Sequence, residues 1–446
     1  MAARRRQTEL PHAPLELLHP LTLPGAEIPG AEIMSEIGGD DAATLMELLR
    51  AVLTWSANPE LAPAFDRAAL ERTEYTLLSR GPDALASPAG LLAGYMAHAE
   101  TASPREVAWA CICISDWASE RGARATAVQF AMAAAFAWPR HARYSWLVAR
   151  LLRTYGNLRE AETWFRRSHR LAVWTDDVEA QASTLAGLGN LSYTAGNYAR
   201  ADVRLSRALR VSRRHKFTQL EAETLHDLFI IAFVRGDRSR AEQLGAEAMA
   251  LYLKLGHRRL PALVFDFAMF WIIAGRFRRV LPLLHGLQTC FSEPSKRMQV
   301  FAATARAAGA CGEIDDFDAS WFAASTLEVE VRGSPVYAAC LVDLGLGAAS
   351  VKRWDDACAM LSRALDVASA RKENDLVLIA ESALDSIARH ERADVNAGVM
   401  ETREDEPSCS LVSTMLDALR ALAPVKDDRP QDPLAPTFRD LRAAPS

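Results

Sequence analysis

A turn sequence that recurs along most of the chain constrains its fold more than any other feature. A glycine closes one helical pattern and precedes the next after 34, 40, 40, 39 and 37 residues. These turn glycines are Gly122, Gly156, Gly196, Gly236, Gly275 and Gly312. Glycine accepts the positive φ that ends many helices. The spacing therefore predicts a succession of helix pairs joined by tight turns.

The stretch from Ala182 to Ser212 contains the clearest copy of the pattern. Leu185, Leu188 and Leu191 recur every three residues and predict one apolar helical face. After Gly196, a second apolar stripe consists of Ala201, Leu205, Ala208 and Leu209. The small residues Gly189 and Ala201 predict a close crossing of the two helices.

This stretch resembles the tetratricopeptide repeat. The residues that carry the resemblance are Leu185, Leu188, Gly189, Gly196, Tyr198, Ala201 and Ala208. The last copy, Lys352-Arg353-Trp354, lacks the turn glycine and keeps the remaining pattern. The resemblance implies an all-α, right-handed α-solenoid superhelix of about seven antiparallel helix pairs, over residues 104–371. Repeats lengthened to about 40 residues look like those of bacterial signalling proteins and regulator sensor regions.

Composition predicts different roles for the two ends of the chain. Residues 1–39 are rich in Pro and Gly and are expected to be a disordered lead. Residues 40–103 are expected to form a divergent helical N-terminal cap, and residues 372–391 a C-terminal capping helix. Residues 392–446 are expected to contain a flexible linker, a short helix near Leu411 to Leu422 and a disordered tail.

Charge and cysteine content exclude several protein classes. A net charge of -5 disfavours wholesale nucleic-acid binding. The seven cysteines show no disulfide-framework spacing, which favours a reducing, cytoplasmic setting. The sequence contains no apolar run long enough to predict a membrane span. Whether the chain forms a homo-oligomer stays open at this stage.

No catalytic, cofactor or metal motif is apparent, so the chain is expected to be non-catalytic and to hold neither a cofactor nor a metal. Gly187 and Gly189 lie within a helical pattern and favour packing over a nucleotide loop. The acidic turn from Glu313 to Asp318 lacks the spacing of a calcium loop. His226 and Asp227 are adjacent in a helix and therefore do not face each other as a catalytic dyad.

The family resemblance also implies a concave groove lined by the first helix of each pair. The corresponding positions in this chain are Arg143, Trp146, Arg150, Arg153, Asn190, Tyr193, His226, Asp227, Ile230, Phe233, Phe265, Asp266, Met269, Ile272 and Arg306. In peptide-binding members an Asn at the Asn190 position holds the ligand backbone, but Arg150 and Ile230 occupy the flanking equivalents. The apolar members of this set could equally belong to the core.

The leading hypothesis is a scaffold whose groove binds a protein or peptide, with an acidic portion near Arg143, Arg150 and Arg153. One alternative is the effector-sensing region of a transcription regulator that lacks its own DNA-binding module. Another is nucleic-acid binding by a basic outer ridge, for which a solvated surface is the default interpretation. The ridge residues are Arg166, Arg167, Arg170, Arg204, Arg207, Arg210, Arg213, Arg214, His215 and Lys216.

Overall fold

The computed structural model describes residues 30–57, 66–81, 83–389 and 406–422, and all regular structure in these ranges is helical. The all-α prediction is therefore confirmed. None of the helices in these ranges has the length and apolar character needed to cross a membrane. Contacts divide the chain into two units between Ile231 and Ala232, and each unit is described by itself.

The first unit contains the helices up to the division. They are α1 (Ala31–Glu36), α2 (Gly39–Ala57), α3 (Arg67–Ser79), α4 (Ala86–Ala97), α5 (Pro104–Glu120), α6 (Arg124–Ala137), α7 (Ala142–Thr154), α8 (Leu158–Trp174), α9 (Val178–Thr194), α10 (Tyr198–His215) and α11 (Thr218–Val234). The division falls near the end of α11.

The second unit contains the remaining helices. They are α12 (Arg238–Leu255), α13 (Leu260–Ile273), α14 (Phe277–Leu287), α15 (Pro294–Cys311), α16 (Ile314–Thr326), α17 (Glu328–Val331), α18 (Tyr337–Ser350), α19 (Trp354–Arg371), α20 (Asn374–Ala388) and α21 (Glu406–Ala421).

Consecutive helices pack as pairs in both units. The first unit pairs α5 with α6, α7 with α8 and α9 with α10, and the second pairs α13 with α14, α15 with α16 and α18 with α19. Helices α11 and α12 follow one another between these pairs in sequence, on either side of the division. All six predicted turn glycines have positive φ, and Lys352 adopts the same conformation at φ 64°. The predicted helical-repeat fold is thus confirmed.

Glycines inside the first helices allow their second helices to approach closely. A Cβ on Gly189 would lie 2.6 Å from Leu205 Cγ, and one on Gly345 would lie 2.7 Å from Leu361 Cγ. The residue that faces Gly189 is therefore Leu205, and the sequence-based pairing of Gly189 with Ala201 is corrected. The branched leucine fills the space that the missing Cβ leaves.

Helix α1 lies inside the stretch predicted to be a disordered lead, so that prediction is corrected for residues 31–36. Tertiary contacts explain the order. Ile33 is fully buried. The Glu36 carboxylate accepts hydrogen bonds of 2.9 Å from Ala125 N and 2.8 Å from Thr126 N, at the start of α6. The carboxylate thus binds N–H groups at the N-terminus of α6, which have no acceptor within their own helix.

Several other predictions about the ends of the chain concern residues that the structure does not describe or describes only in part. Helix α3 begins at Arg67 with Asp66 as its N-cap, and the preceding predicted residues lie outside those described. Residues 1–29, 390–405 and 423–446 also lie outside, and their predicted disorder stays a prediction. Helix α21 starts at Glu406, five residues before the predicted short helix.

Candidate functional site

Four predicted groove residues line one side of α7 in the first unit. Arg143, Trp146, Arg150 and Arg153 are spaced by three or four residues, so they share a helical face, and all four are half-buried. The Trp146 indole Nε1 donates to the Ser183 carbonyl oxygen at 3.1 Å. The Arg150 guanidinium lies 5.6 Å from the Trp146 ring centre, within cation–π range. The indole is therefore held in one orientation by neighbours on two sides.

A cavity of about 190 Å³ opens beside Trp146, where the N-terminal ends of α7 and α9 lie together. Its lining residues are His141, Arg143, Trp146, Asp177, Glu179, Ala180 and Ser183. The Asp177 carboxylate caps α9 by accepting from Ala180 N at 2.9 Å. The volume is below that of typical cofactor or drug-sized pockets. The cavity is better matched to a single side chain or a small chain end.

The cavity contains an uncharged imidazole next to charges of both signs. The His141 ring lies 4.5 Å from Trp138 and 4.9 Å from Tyr144, centre to centre. Burial lowers the pKa of His141; Asp177 opposes this shift, and Arg143 and Arg105 reinforce it. His141 is thus neutral at pH 7. Among the described residues, none forms a hydrogen bond with the buried Nδ1 of His141. In a neutral imidazole this nitrogen either accepts or donates a hydrogen bond, according to the tautomer.

The neighbouring first helices α9 and α11 contribute the next predicted positions. The Asn190 side-chain nitrogen donates to the Asp227 carboxylate at 2.8 Å, so the structure brings these two predicted residues together. Tyr193 is 36% exposed, and its ring lies 5.8 Å from that of Tyr198. Ile230 is half-buried.

His226 differs from the other predicted positions of the first unit. It is only 3% exposed, so its side chain lies in the interior and not on the predicted surface. It packs near Phe229, with ring centres 6.4 Å apart. We use the name α7–α9–α11 surface for the remaining eight predicted residues of this unit: Arg143, Trp146, Arg150, Arg153, Asn190, Tyr193, Asp227 and Ile230.

The other predicted positions lie in the second unit. Phe233 packs edge-on against Phe270 at 5.3 Å between ring centres. Phe265, Asp266 and Met269 are half-buried on α13.

Further along the second unit, Ile272 is only 1% exposed and belongs to the core. Arg306 on α15 forms an ion pair of 2.7 Å with Asp343 on α18, and both side chains are mostly buried. Burial raises the pKa of Asp343, and the Arg306 charge opposes this shift.

Sequence reasoning missed several of the polar residues that complete these contacts. His141, Asp177, Glu179 and Ser183 line the cavity but were not predicted. A usable signal existed for Asp177, since an Asp before a helical pattern is a common N-cap. The pairs Trp146–Ser183, Asn190–Asp227 and Arg306–Asp343 are each 37 residues apart, and they join successive first helices. The length of the repeat could have indicated this spacing.

Several residues of the basic outer ridge make contacts within the protein. Arg204 donates to the Leu188 carbonyl oxygen at 2.9 Å and to Ser192 Oγ at 2.8 Å, and burial lowers its pKa. Arg167 is only 8% exposed and donates to the Pro139 carbonyl oxygen. Arg166 pairs with Glu162, and Arg213 pairs with Glu221. Two of these contacts are with carboxylates and offset part of the ridge charge, and nucleic-acid binding by the ridge stays a prediction.

The acidic turn and the cysteine pair considered from the sequence have the following surroundings in the structure. In the acidic turn, Asp318 pairs with Arg353 at 2.6 Å and Asp316 lies 3.4 Å from His285. Burial raises the pKa values of Cys111 and Cys113, that of Cys113 to about 12, so both side chains are protonated thiols at pH 7. Within the described ranges, no group of three or more His, Cys, Asp or Glu side chains is arranged to hold a metal ion.

No family model matches the chain, and no curated protein matches it. Three solved structures show remote similarity. BtubC (BKLC) from P. vanneervenii has 16% identity and a TM-score of 0.40, covering 48% of this chain and 92% of that one. A Rap protein complexed with Competence and Sporulation Factor has 12% identity and a TM-score of 0.34, covering 80% and 88%. Aspartyl phosphate phosphatase F from Bacillus subtilis has 13% identity and a TM-score of 0.38, covering 84% and 89%.

Proposed function

We propose that this chain is a non-catalytic binding protein of tetratricopeptide type, in a cytoplasmic setting, and that it holds a protein or peptide segment on the α7–α9–α11 surface. The observation that carries the proposal is the cavity of about 190 Å³ beside the fixed indole of Trp146. A cavity of this size suits one side chain of a larger ligand. An enzyme active site would instead need a nucleophile and a supporting base that converge on the substrate.

The residue types around the cavity support a protein ligand. Trp, Tyr and Arg dominate the energetics of protein interfaces, and Trp146, Tyr193 and the α7 arginines supply all three types on one surface. Arg143 lines the cavity itself. Arg150 and Arg153 follow it along α7, and they provide positive charge for an acidic portion of the ligand.

Selection of random peptides displayed on phage, with the immobilised full chain as target, tests this function. We expect enriched peptides that combine an acidic residue with a side chain small enough for the cavity. Their dissociation constants are then measured for R143Q/R150Q/R153Q. Loss of the three charges should weaken binding at least about tenfold, which corresponds to about 1.4 kcal/mol.

A matched control removes three arginines from elsewhere on the first unit. Arg166, Arg207 and Arg210 are exposed on α8 and α10, so R166Q/R207Q/R210Q carries the same charge change. This control should bind the peptides within about twofold of the unmodified chain, because exposed charges contribute little at a distance. Equal weakening in both triple variants, or no enriched peptide, would contradict the proposal.

A photo-crosslinking experiment locates the ligand on the surface. p-Benzoylphenylalanine replaces Tyr193, which is 36% exposed beside Asn190, or Phe322, which is 70% exposed on α16 of the second unit. Illumination should join the selected peptides to the variant at position 193 and not to the variant at position 322. The opposite distribution would place the ligand away from the α7–α9–α11 surface.

A further inference from the structure

The cavity beside Trp146 contains two carboxylates that have no ion-pair partner among the residues that the structure describes. Asp177 and Glu179 both line the cavity, and neither forms such a pair. Asp177 uses Oδ1 to accept from Ala180 N at the start of α9, which leaves its second oxygen. Glu179 is exposed. Both side chains can therefore bind a positively charged group that enters the cavity.

The charge balance of the lining favours a cation. Among the described lining residues, Arg143 carries a positive charge, and Asp177 and Glu179 carry negative charges. The imidazole of His141 is neutral at pH 7, because burial lowers its pKa. Arg105 also lowers the pKa of His141, but it is not among these lining residues. The two carboxylates therefore outweigh the single guanidinium.

The hydrogen-bond acceptors of the cavity suit an ammonium group, which has three donors. The second oxygen of Asp177 and the carboxylate of Glu179 are charged acceptors. The buried Nδ1 of His141 forms no hydrogen bond with a described residue, and it accepts one in the tautomer that carries the proton on Nε2. Acceptors from three lining residues thus match the three donors of one ammonium.

An amino-terminal ammonium fits this lining better than a lysine side chain does. The methylene groups of a lysine need apolar surface, and the described lining offers Trp146 and Ala180 as its apolar residues. An amino terminus instead carries its charge beside the first peptide group, whose N–H and C=O need polar partners. The Ser183 hydroxyl and the Arg143 guanidinium belong to the same lining and can bind that group.

We propose that this cavity binds the free amino terminus of a peptide or protein, and that an acidic residue close to that terminus meets Arg143. The inference rests on the proposed function, since it specifies which part of the ligand lies beside Trp146. Capture of a chain terminus is a known mode of peptide recognition. Charge complementarity identifies the ligand, because Asp177 and Glu179 attract the ammonium and Arg143 attracts the acidic residue.

Two matched synthetic libraries test the inference on the full chain. Both consist of hexapeptide amides with glutamate at the second position and random residues elsewhere. One library has free amino termini, and the other is N-acetylated. Peptides that the immobilised chain retains are identified by mass spectrometry. We expect retention from the free library to exceed retention from the acetylated library at least about tenfold.

An analogue of one retained peptide separates the charge of the terminus from its size. The des-amino analogue replaces the ammonium by a hydrogen atom, so it is smaller than the parent peptide and cannot be excluded by bulk. It should nevertheless bind at least about tenfold more weakly, because it lacks the group that the two carboxylates bind.

Two substitutions remove the carboxylate charges and keep the cap of α9. Asn caps helices as well as Asp does, so D177N retains an acceptor for Ala180 N. D177N/E179Q should bind the parent peptide at least about tenfold more weakly and the des-amino analogue within about twofold of the unmodified chain. The control E47Q/E120Q removes two exposed carboxylates from α2 and α5, and it should bind both peptides within about twofold. Circular dichroism verifies that each variant is folded.

Four results would overturn the inference. Equal retention from both libraries, with binding still weakened in R143Q/R150Q/R153Q, would overturn it and leave the proposed function intact. Unchanged affinity of folded D177N/E179Q for the parent peptide would do the same. Retention of acetylated peptides that contain lysine, in place of free amino termini, would assign the cavity to a basic side chain. Retention from neither library would contradict the proposed function as well.

Discussion

The Asn190 amide nitrogen lies 2.8 Å from the Asp227 carboxylate, so a hydrogen bond joins α9 to α11. The same relationship recurs in the second unit, where Arg306 and Asp343 join α15 to α18 at 2.7 Å. In both pairs, the first residue lies six positions before the turn glycine of its repeat, which is Gly196 or Gly312. The second residue lies 37 positions after the first. The polar groups of successive first helices thus bind to each other.

The contact between Asn190 and Asp227 should contribute to stability. We expect a coupling energy of about 0.5–1.5 kcal/mol between N190A and D227A. Urea unfolding of both single variants, the double variant and the unmodified chain measures it. Single effects that add to within about 0.3 kcal/mol would show that the hydrogen bond contributes nothing.

Glu328 should make stability depend on pH. Burial alone would raise its pKa, but hydrogen bonds from Arg363, Tyr337 and Arg332 outweigh burial and hold the pKa below the ordinary value of 4.5. The Tyr337 hydroxyl donates to the carboxylate at 2.9 Å. Since the pKa is lower in the folded state, the stabilisation is present above pH 4.5 and is lost as the pH falls through the folded-state pKa.

E328Q should therefore lower the free energy of unfolding by about 1.5–3 kcal/mol at pH 7. The difference from the unmodified chain should shrink as the pH is lowered below about 4.5. Urea unfolding across this pH range measures both effects. E330Q changes an exposed carboxylate on the same short helix and should have little effect at any pH. A pH-independent effect of E328Q would contradict the role of its charge.

Gly347 should not tolerate a side chain. A Cβ there would lie 2.8 Å from the Ala305 carbonyl oxygen and 3.1 Å from Arg306 Cα, which are backbone atoms of the adjacent helix α15. G347A should destabilise the chain by about 1–3 kcal/mol, because α15 and α18 must move apart.

The matched control for G347A is G333A, since nothing lies within 4 Å of a Cβ at position 333. Thermal unfolding should show no loss of stability for this control. A G347A variant as stable as the unmodified chain would mean that the two helices separate without cost.

Replacement of Lys352 by glycine should raise the stability of the chain. Its φ of 64° lies in the left-handed region, at the position where the other turn motifs have glycine. Because a side chain is unfavourable there, K352G should stabilise the chain by about 0.5–1 kcal/mol in urea unfolding. K254G, within α12, should instead destabilise by about 1 kcal/mol. Destabilisation by K352G would show that the lysine side chain has a compensating contact.

The helix pairs could be predicted because their signals are local. Periodic apolar residues and a turn glycine act within one repeat, so the pattern around Gly196 identified α9, α10 and the turn between them. The candidate site could be predicted only in part. Among the predicted groove residues, Arg143 and Trp146 line a cavity and His226 is buried, since the family pattern gives a helical face but not its local depth.

The sequence by itself determined the all-α class, the succession of helix pairs and the glycines at their turns, because backbone φ and helical periodicity depend on neighbouring residues. Only the tertiary structure decided that Glu36 caps α6, that Asn190 meets Asp227 and that α21 covers α14. Each of these contacts joins residues from separate helices. Their formation depends on how those helices pack and on the register between them, which no local pattern specifies.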